Sequence, residues 1–271
     1  GGRRVLLPFT VYKVYRQLRC AELEGIRQAC IDCVVMQANS AQSSIRKTAM
    51  RALSDIIEVD AKVLAARTVE ETVDMRLRDE SSWVRQVSLD LLGRVLEGSL
   101  GEDMADEEGQ TATQAATPLV FGADAQTEQA ATSRAVLLRF HRTVRGRIND
   151  TSVLVRRQAS KILSAFVLSH PDHPDVVEVA HDLMRRSSDS DILRNLVLGT
   201  FELLWFMDDE PSPRAALQLA RVVDASRTMG VGPSEILMEL LQRFRKNIGT
   251  RKHSKGFDFA LRRWTTLMLN E

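Results

Sequence analysis

Between Asp79 and Leu96 (DESSWVRQVSLDLLGRVL) a polar turn runs into Val84-Arg85, and apolar positions follow at Ser88/Leu89, Leu92 and Val95/Leu96. Spacings of three and four residues define a helix with one apolar face, entered from a turn. The phrase recurs at Ile45-Arg46 (IRKTAMRALSDII), Val155-Arg156 (VRRQASKILSAFV) and Leu193-Arg194 (LRNLVLGTFELLW). Successive apolar-Arg pairs lie 39, 71 and 38 residues apart, so the long interval holds an insertion of about one repeat length. One helix-opening phrase per unit of just under forty residues predicts an all-α α-solenoid of stacked antiparallel helical hairpins.

The same patterning predicts helices over 5–19, 22–38, 45–58, 61–77 (with a break near Thr68), 83–96, 134–148, 155–168, 175–186 and 191–206. Helices without the apolar-Arg phrase follow at about 213–229, 233–246 and 256–269. Ser43 or Ser44 is the expected cap of the helix opened by Ile45. Trp83 is expected to pack against the neighbouring repeat. The chain divides into repeats at 1–96, an insertion at 97–133, repeats at 134–207 and a less regular helical continuation at 208–271. The insertion has seven acidic residues between Gly101 and Ala130 and no Lys or Arg, and is expected to be partly disordered. The start at Gly1-Gly2, without Met and in mid-pattern, suggests a piece of something longer.

An Arg in the first turn of a helix opposes the helix dipole. Asp79 precedes Arg85 by six residues, and Asp150 precedes Arg156 by the same offset. The repetition predicts Asp–Arg contacts between successive units, which makes Arg46, Arg85, Arg156 and Arg194 structural struts first.

Composition adds little to this and removes much. Aromatics are 5% of the chain, and Leu, Ala, Val and Ile carry the apolar content, as suits helices packed on helices. No run of 18 apolar residues exists, so no membrane span is expected. Cys20, Cys30 and Cys33 lack the partners of a four-ligand metal site, and the CIDC spacing lies in a helical run rather than a redox context. His170-Pro171-Asp172-His173-Pro174 reads as a stiff connection. No phosphate loop, zinc-protease motif or nucleophile elbow is present, so no catalytic residue, metal or cofactor is expected. Net charge is +1, yet cations cluster in 134–147, running on to Arg156, Arg157 and Lys161, and again in 243–255. Both stretches suit phosphates, with sequence-independent and salt-dependent binding.

Four segments resemble one family. IRKTAMRALSDIIEVD (45–60), RLRDESSWVRQVSLDLLGRVL (76–96) and RINDTSVLVRRQASKILSAFVLSHP (147–171), the last followed by LLWF (203–206), are similar to successive HEAT repeats of Nipped-B-type cohesin loaders. LQLARVVDASRTMGVGPSEILMELLQRFRKNI (217–248) is similar to their helical continuation. The acidic insertion departs from that compact run. The resemblance implies a non-catalytic segment of a nuclear, chromatin-associated protein that clamps double-stranded DNA on cohesin. It implies contact with the SMC ATPase heads and the kleisin, and stimulation of cohesin's ATPase in loading and loop extrusion. A TPR-like partner would bind a part of the protein not present here. Together with the basic stretches it makes Arg145, Arg147, Arg156, Arg157 and Lys161 the first candidates for DNA contact. Lys246, Arg251, Lys252 and Lys255 come next, and Arg46 and Lys47 after them. A protein-binding HEAT scaffold and a HEAT subunit of another SMC complex such as condensin are the competing readings.

Overall fold

The computed structural model describes residues 24–97, 128–206 and, except for 237 and 241, 235–243. The helices expected at 5–19, 213–229 and 256–269, the insertion up to residue 127, and Cys20 lie outside these residues. Every regular element among the described residues is helical: α1 (Glu24–Ala38), α2 (Ser43–Val59), a 3-10 turn (Ala61–Ala65), α3 (Arg67–Leu77), α4 (Ser82–Glu97), α5 (Glu128–Arg145), α6 (Val153–Ser169), α7 (Val176–Arg186) and α8 (Asp191–Phe206). The all-α repeat class therefore stands. They form two compact units, one from the described residues up to Ile162 and one from Leu163 onward.

In the first unit α1 packs on α2, α3 on α4, and α2 on α4 in the next hairpin, while α5 lies against α3 and α4. The stripes read from sequence form its core. On α2 Ala49, Met50, Leu53, Ile56 and Ile57 are buried, and on α4 Val84, Leu89, Leu91, Leu92 and Leu96. A fully buried Leu or Ile contributes roughly 1.5–3 kcal/mol over an exposed one, so these faces supply most of the hold between hairpins. The first helices are tied side to side by polar contacts: Arg139 pairs with Glu70, and the Thr143 hydroxyl donates to Asp74 Oδ1 at 2.5 Å. Gly93 faces α6, where a Cβ would come within 2.4 Å of Gln158 Nε2.

In the second unit α7 buries Val176, Val179, Ala180, Leu183 and Met184, and packs against α8. Phe166 is fully buried. His170 stacks on its ring at 5.4 Å between centroids and His173 meets its edge at 5.3 Å. The stiff connection thus closes over a core side chain. Trp205 is buried and stacks on Phe201 at 4.6 Å.

One expectation is placed to the residue and two need correction. The break expected near Thr68 falls at Ala66, whose ψ of 126° is extended. The Asp60 carboxylate accepts from the Lys62 backbone N–H at 3.2 Å and starts a separate 3-10 turn ahead of α3. Ser43 and Ser44 lie inside α2, and Gln42 occupies the N-cap position without a side-chain cap bond. Trp83 does not pack away: it is 59% exposed.

Candidate nucleic-acid interface

The repeated Arg is consumed by the fold. Arg46 donates from Nε and Nη2 to the two carboxylate oxygens of Asp79, at 2.8 and 2.7 Å, one repeat further on. Its Nη1 reaches back to the carbonyls of Ser40 and Ala41 at 3.1 and 2.8 Å. Arg85 repeats the pattern, with Asp150 Oδ2 and Oδ1 both at 2.7 Å and the Asp79 and Glu80 carbonyls at 2.8 and 3.0 Å. Arg156 Nη1 holds the equivalent carbonyls, of Asp150 and Thr151, at 2.9 and 3.3 Å. Each guanidinium thereby offsets an unfavourable helix-start position with turn carbonyls and, for Arg46 and Arg85, with a bidentate carboxylate. In the second unit Arg194 pairs instead with Glu239, its Nε 2.8 Å from the carboxylate.

Each Asp is held from three sides. Asp79 also accepts from its own turn, from Ser81 N–H at 2.9 Å, and from Arg76 at 2.8 Å. Asp150 accepts from Ser152 N–H at 3.0 Å and faces Arg147 at 3.5 Å. Burial would raise both carboxyl pKa values, but the Arg46 and Arg85 hydrogen bonds and the turn N–H groups outweigh it and hold both below the ordinary Asp value. The Asp79 hydrogen bond raises the pKa of Arg46 further, against its burial. Arg76 and Arg147, each three residues before the Asp, belong to the ladder too. Sequence reading missed that role, although their shared offset was present in it.

This geometry sorts the DNA candidates. Arg46, 4% exposed, is withdrawn from the surface because its guanidinium is spent on Asp79 and the turn. Arg147 and Arg156 are half-buried and engaged around Asp150. Arg145 is the last residue of α5, a first helix of its hairpin. Arg157 and Lys161 lie one turn apart on α6, both half-buried, and no described hydrogen bond or ion pair occupies Arg157. The remaining candidates, Lys246, Arg251, Lys252 and Lys255, lie outside the described residues.

Aligning the repeats on the ladder Arg gives two rows across α2, α4 and α6. One residue after the Arg stand Lys47, Gln86 and Arg157, and five after it stand Arg51, Asp90 and Lys161. All six are at least partly exposed. Lys47 Nζ lies 4.5 Å from the centroid of the Trp83 ring. Arg51 was not a candidate from sequence, and its signal there was the equivalence with Lys161. A groove of about 330 Å³ opens between α2 and α4, with Lys47, Arg51 and Trp83 toward one end and Asp55, Asp90 and Arg94 along it. Among the described residues no helix is long and apolar enough to cross a membrane.

Hairpins of this length, joined by buried Arg–Asp rungs, define a HEAT-repeat α-solenoid. Residues 51–92 match the HEAT repeat associated with sister chromatid cohesion. The chain is 28% identical over 203 residues to Nipped-B-like protein A of Danio rerio, covering 73% of this chain and 7% of that protein. It is 28% identical over 205 residues to the Nipped-B-like protein of Homo sapiens (73% and 6%) and 23% identical over 201 residues to the Nipped-B protein of Drosophila melanogaster (73% and 8%). The chain therefore spans less than a tenth of the length of the relatives it matches. Repeat sequence and comparisons together support a HEAT segment of the Nipped-B type.

Proposed function

We propose that this chain is a non-catalytic segment of a cohesin loader acting on nuclear chromatin. In this reading it holds double-stranded DNA against cohesin, lies near the SMC heads and the kleisin, and promotes cohesin's ATP hydrolysis. The observation that carries it is the pair Arg157 and Lys161 on α6, cations that the Arg–Asp ladder does not require. Cations on the second helices of the hairpins suit a phosphate backbone and carry no base readout, so binding is independent of sequence. The basic stretch at 243–255 extends the same proposal.

The test compares the chain with its Arg157→Glu/Lys161→Glu variant by fluorescence anisotropy on two unrelated duplexes. Affinities should match between duplexes. The variant should bind more weakly, and its log–log salt slope should be shallower by roughly 2, about 0.9 per lost phosphate contact. An unchanged affinity in a folded variant overturns the assignment. Stimulation of cohesin ATPase, and not condensin ATPase, separates this reading from that of another SMC complex.

A further inference from the structure

Trp83 is the largest exposed apolar side chain among the described residues, and neither the core nor the ladder uses it. It opens α4 beside a groove whose charges alternate. Lys47 covers its ring, Arg51 is exposed one turn further along α2, and Asp55 and Asp90 follow. Arg94 closes the far end, 3.3 Å from Asp55 and 3.4 Å from Glu58. A duplex laid along this groove would set phosphates against Asp55 and Asp90. A peptide avoids that penalty when its carboxylates are confined to the Trp83 end, where they face Lys47 and Arg51, and its backbone N–H groups donate to the two Asp. Trp flanked by cations is also the composition of protein-binding hot spots, where a desolvated aromatic takes an apolar anchor.

We infer that the Trp83 groove between α2 and α4 is a docking site for an acidic segment of a partner protein that lays one bulky apolar side chain on the Trp83 ring, with carboxylates toward Lys47 and Arg51. This site is distinct from the phosphate-facing pair Arg157 and Lys161 and stands whether or not they bind DNA.

The probe is a fluorescein-labelled dodecapeptide with aspartate and glutamate on one side of a single central phenylalanine and serine and glycine on the other, read by anisotropy on the full chain. Trp83→Ala and Arg51→Glu should each weaken binding about tenfold or more, as loss of an interface anchor does. Arg157→Glu/Lys161→Glu should leave it unchanged. Serine in place of the phenylalanine should abolish the dependence on Trp83. Because Trp83 is exposed, Trp83→Ala should keep the parent circular dichroism, and Trp83→Phe should restore most of the binding. The inference is overturned by an absence of peptide binding, or by binding indifferent to both Trp83 and Arg51. It is equally overturned if single-stranded oligo-dT binds more tightly than the peptide and loses affinity with Trp83→Ala, which would make the ring a base-stacking platform.

Discussion

Arg85→Ala should be among the most destabilising single changes outside the apolar core. The substitution removes both bonds to Asp150, each 2.7 Å, and the donor shared by two turn carbonyls. The Asp150 side chain is 2% exposed, so water cannot replace what is lost. Its carboxylate would keep only the Ser152 N–H at 3.0 Å and a long approach to Arg147 at 3.5 Å. Removing one partner of a buried pair costs roughly 3–5 kcal/mol, most of it the penalty for the charge left behind. The control is Arg94→Ala, where an Arg 53% exposed pairs with Asp55 and Glu58 and the loss should stay below about 1 kcal/mol. Urea unfolding followed by circular dichroism gives the difference. Native-state hydrogen exchange in α4 and residues 146–152 locates it, since repeat arrays need not unfold in one step. A double-mutant cycle with Asp150→Ala should show a coupling of about 2–3 kcal/mol, because the second deletion removes the orphaned charge. Replacing both partners with apolar side chains of similar size, as Arg85→Met/Asp150→Leu, should be milder than Arg85→Ala alone. The reasoning fails if Arg85→Ala costs no more than Arg94→Ala, or if the two Ala substitutions simply add.

Three further outcomes are expected. Asp79 and Asp150 have folded pKa values below their unfolded ones, so their contribution is complete above the ordinary Asp value of about 4 and is lost as pH falls through the depressed folded values. The urea midpoint should hold from neutral pH to about 5 and fall below about 4, less steeply in Asp79→Asn/Asp150→Asn. Gly93→Ala should be within about 0.5 kcal/mol of neutral, because helix propensity gains up to about 1 kcal/mol while the flexible end of Gln158 has to move; adding Gln158→Ala should make it stabilising in thermal melts. Phe166→Ala should cost roughly 3–5 kcal/mol and loosen the second unit, seen as faster amide exchange around His170 and His173.

Periodicity made the hairpins and the inter-repeat rungs legible, because both rest on residues that recur at fixed offsets. The Asp six residues before Arg85 and Arg156 announced carboxylate partners, and the structure pairs each of them with the Arg of the preceding repeat. What escaped was decided by single contacts. The exact place of the break expected near Thr68 was one such: no Gly or Pro marks Ala66, and an Asp60–Lys62 bond starts a short 3-10 turn ahead of it. Trp83 read as a packing residue because aromatic side chains usually are. Its position is one residue ahead of the Val84 stripe, and the equivalent Leu154 is 49% exposed as well. Register, more than hydrophobicity, governs which of these side chains reaches the core.

The same logic explains why counting cations along the chain overstates the basic surface. The run 134–147 looks like one positive helix, yet Arg139 is answered by Glu70 and Arg147 by Asp150. Arg46 and Arg85, the most regular cations in the sequence, are among its most completely neutralised. A charge that repeats with the fold is there to be paired within it, since every unit must satisfy the same turn. A charge that meets a ligand has to sit at positions that the repeat pattern does not fix. Those are the positions one and five residues after the Arg, and their occupants differ from unit to unit: Lys47 and Arg51, Gln86 and Asp90, Arg157 and Lys161. Variation within a fixed frame gives one stack of similar hairpins different surfaces along its length. Phosphate-binding chemistry can then occupy α6, and a mixed-charge groove can lie between α2 and α4, without disturbing the rungs beneath.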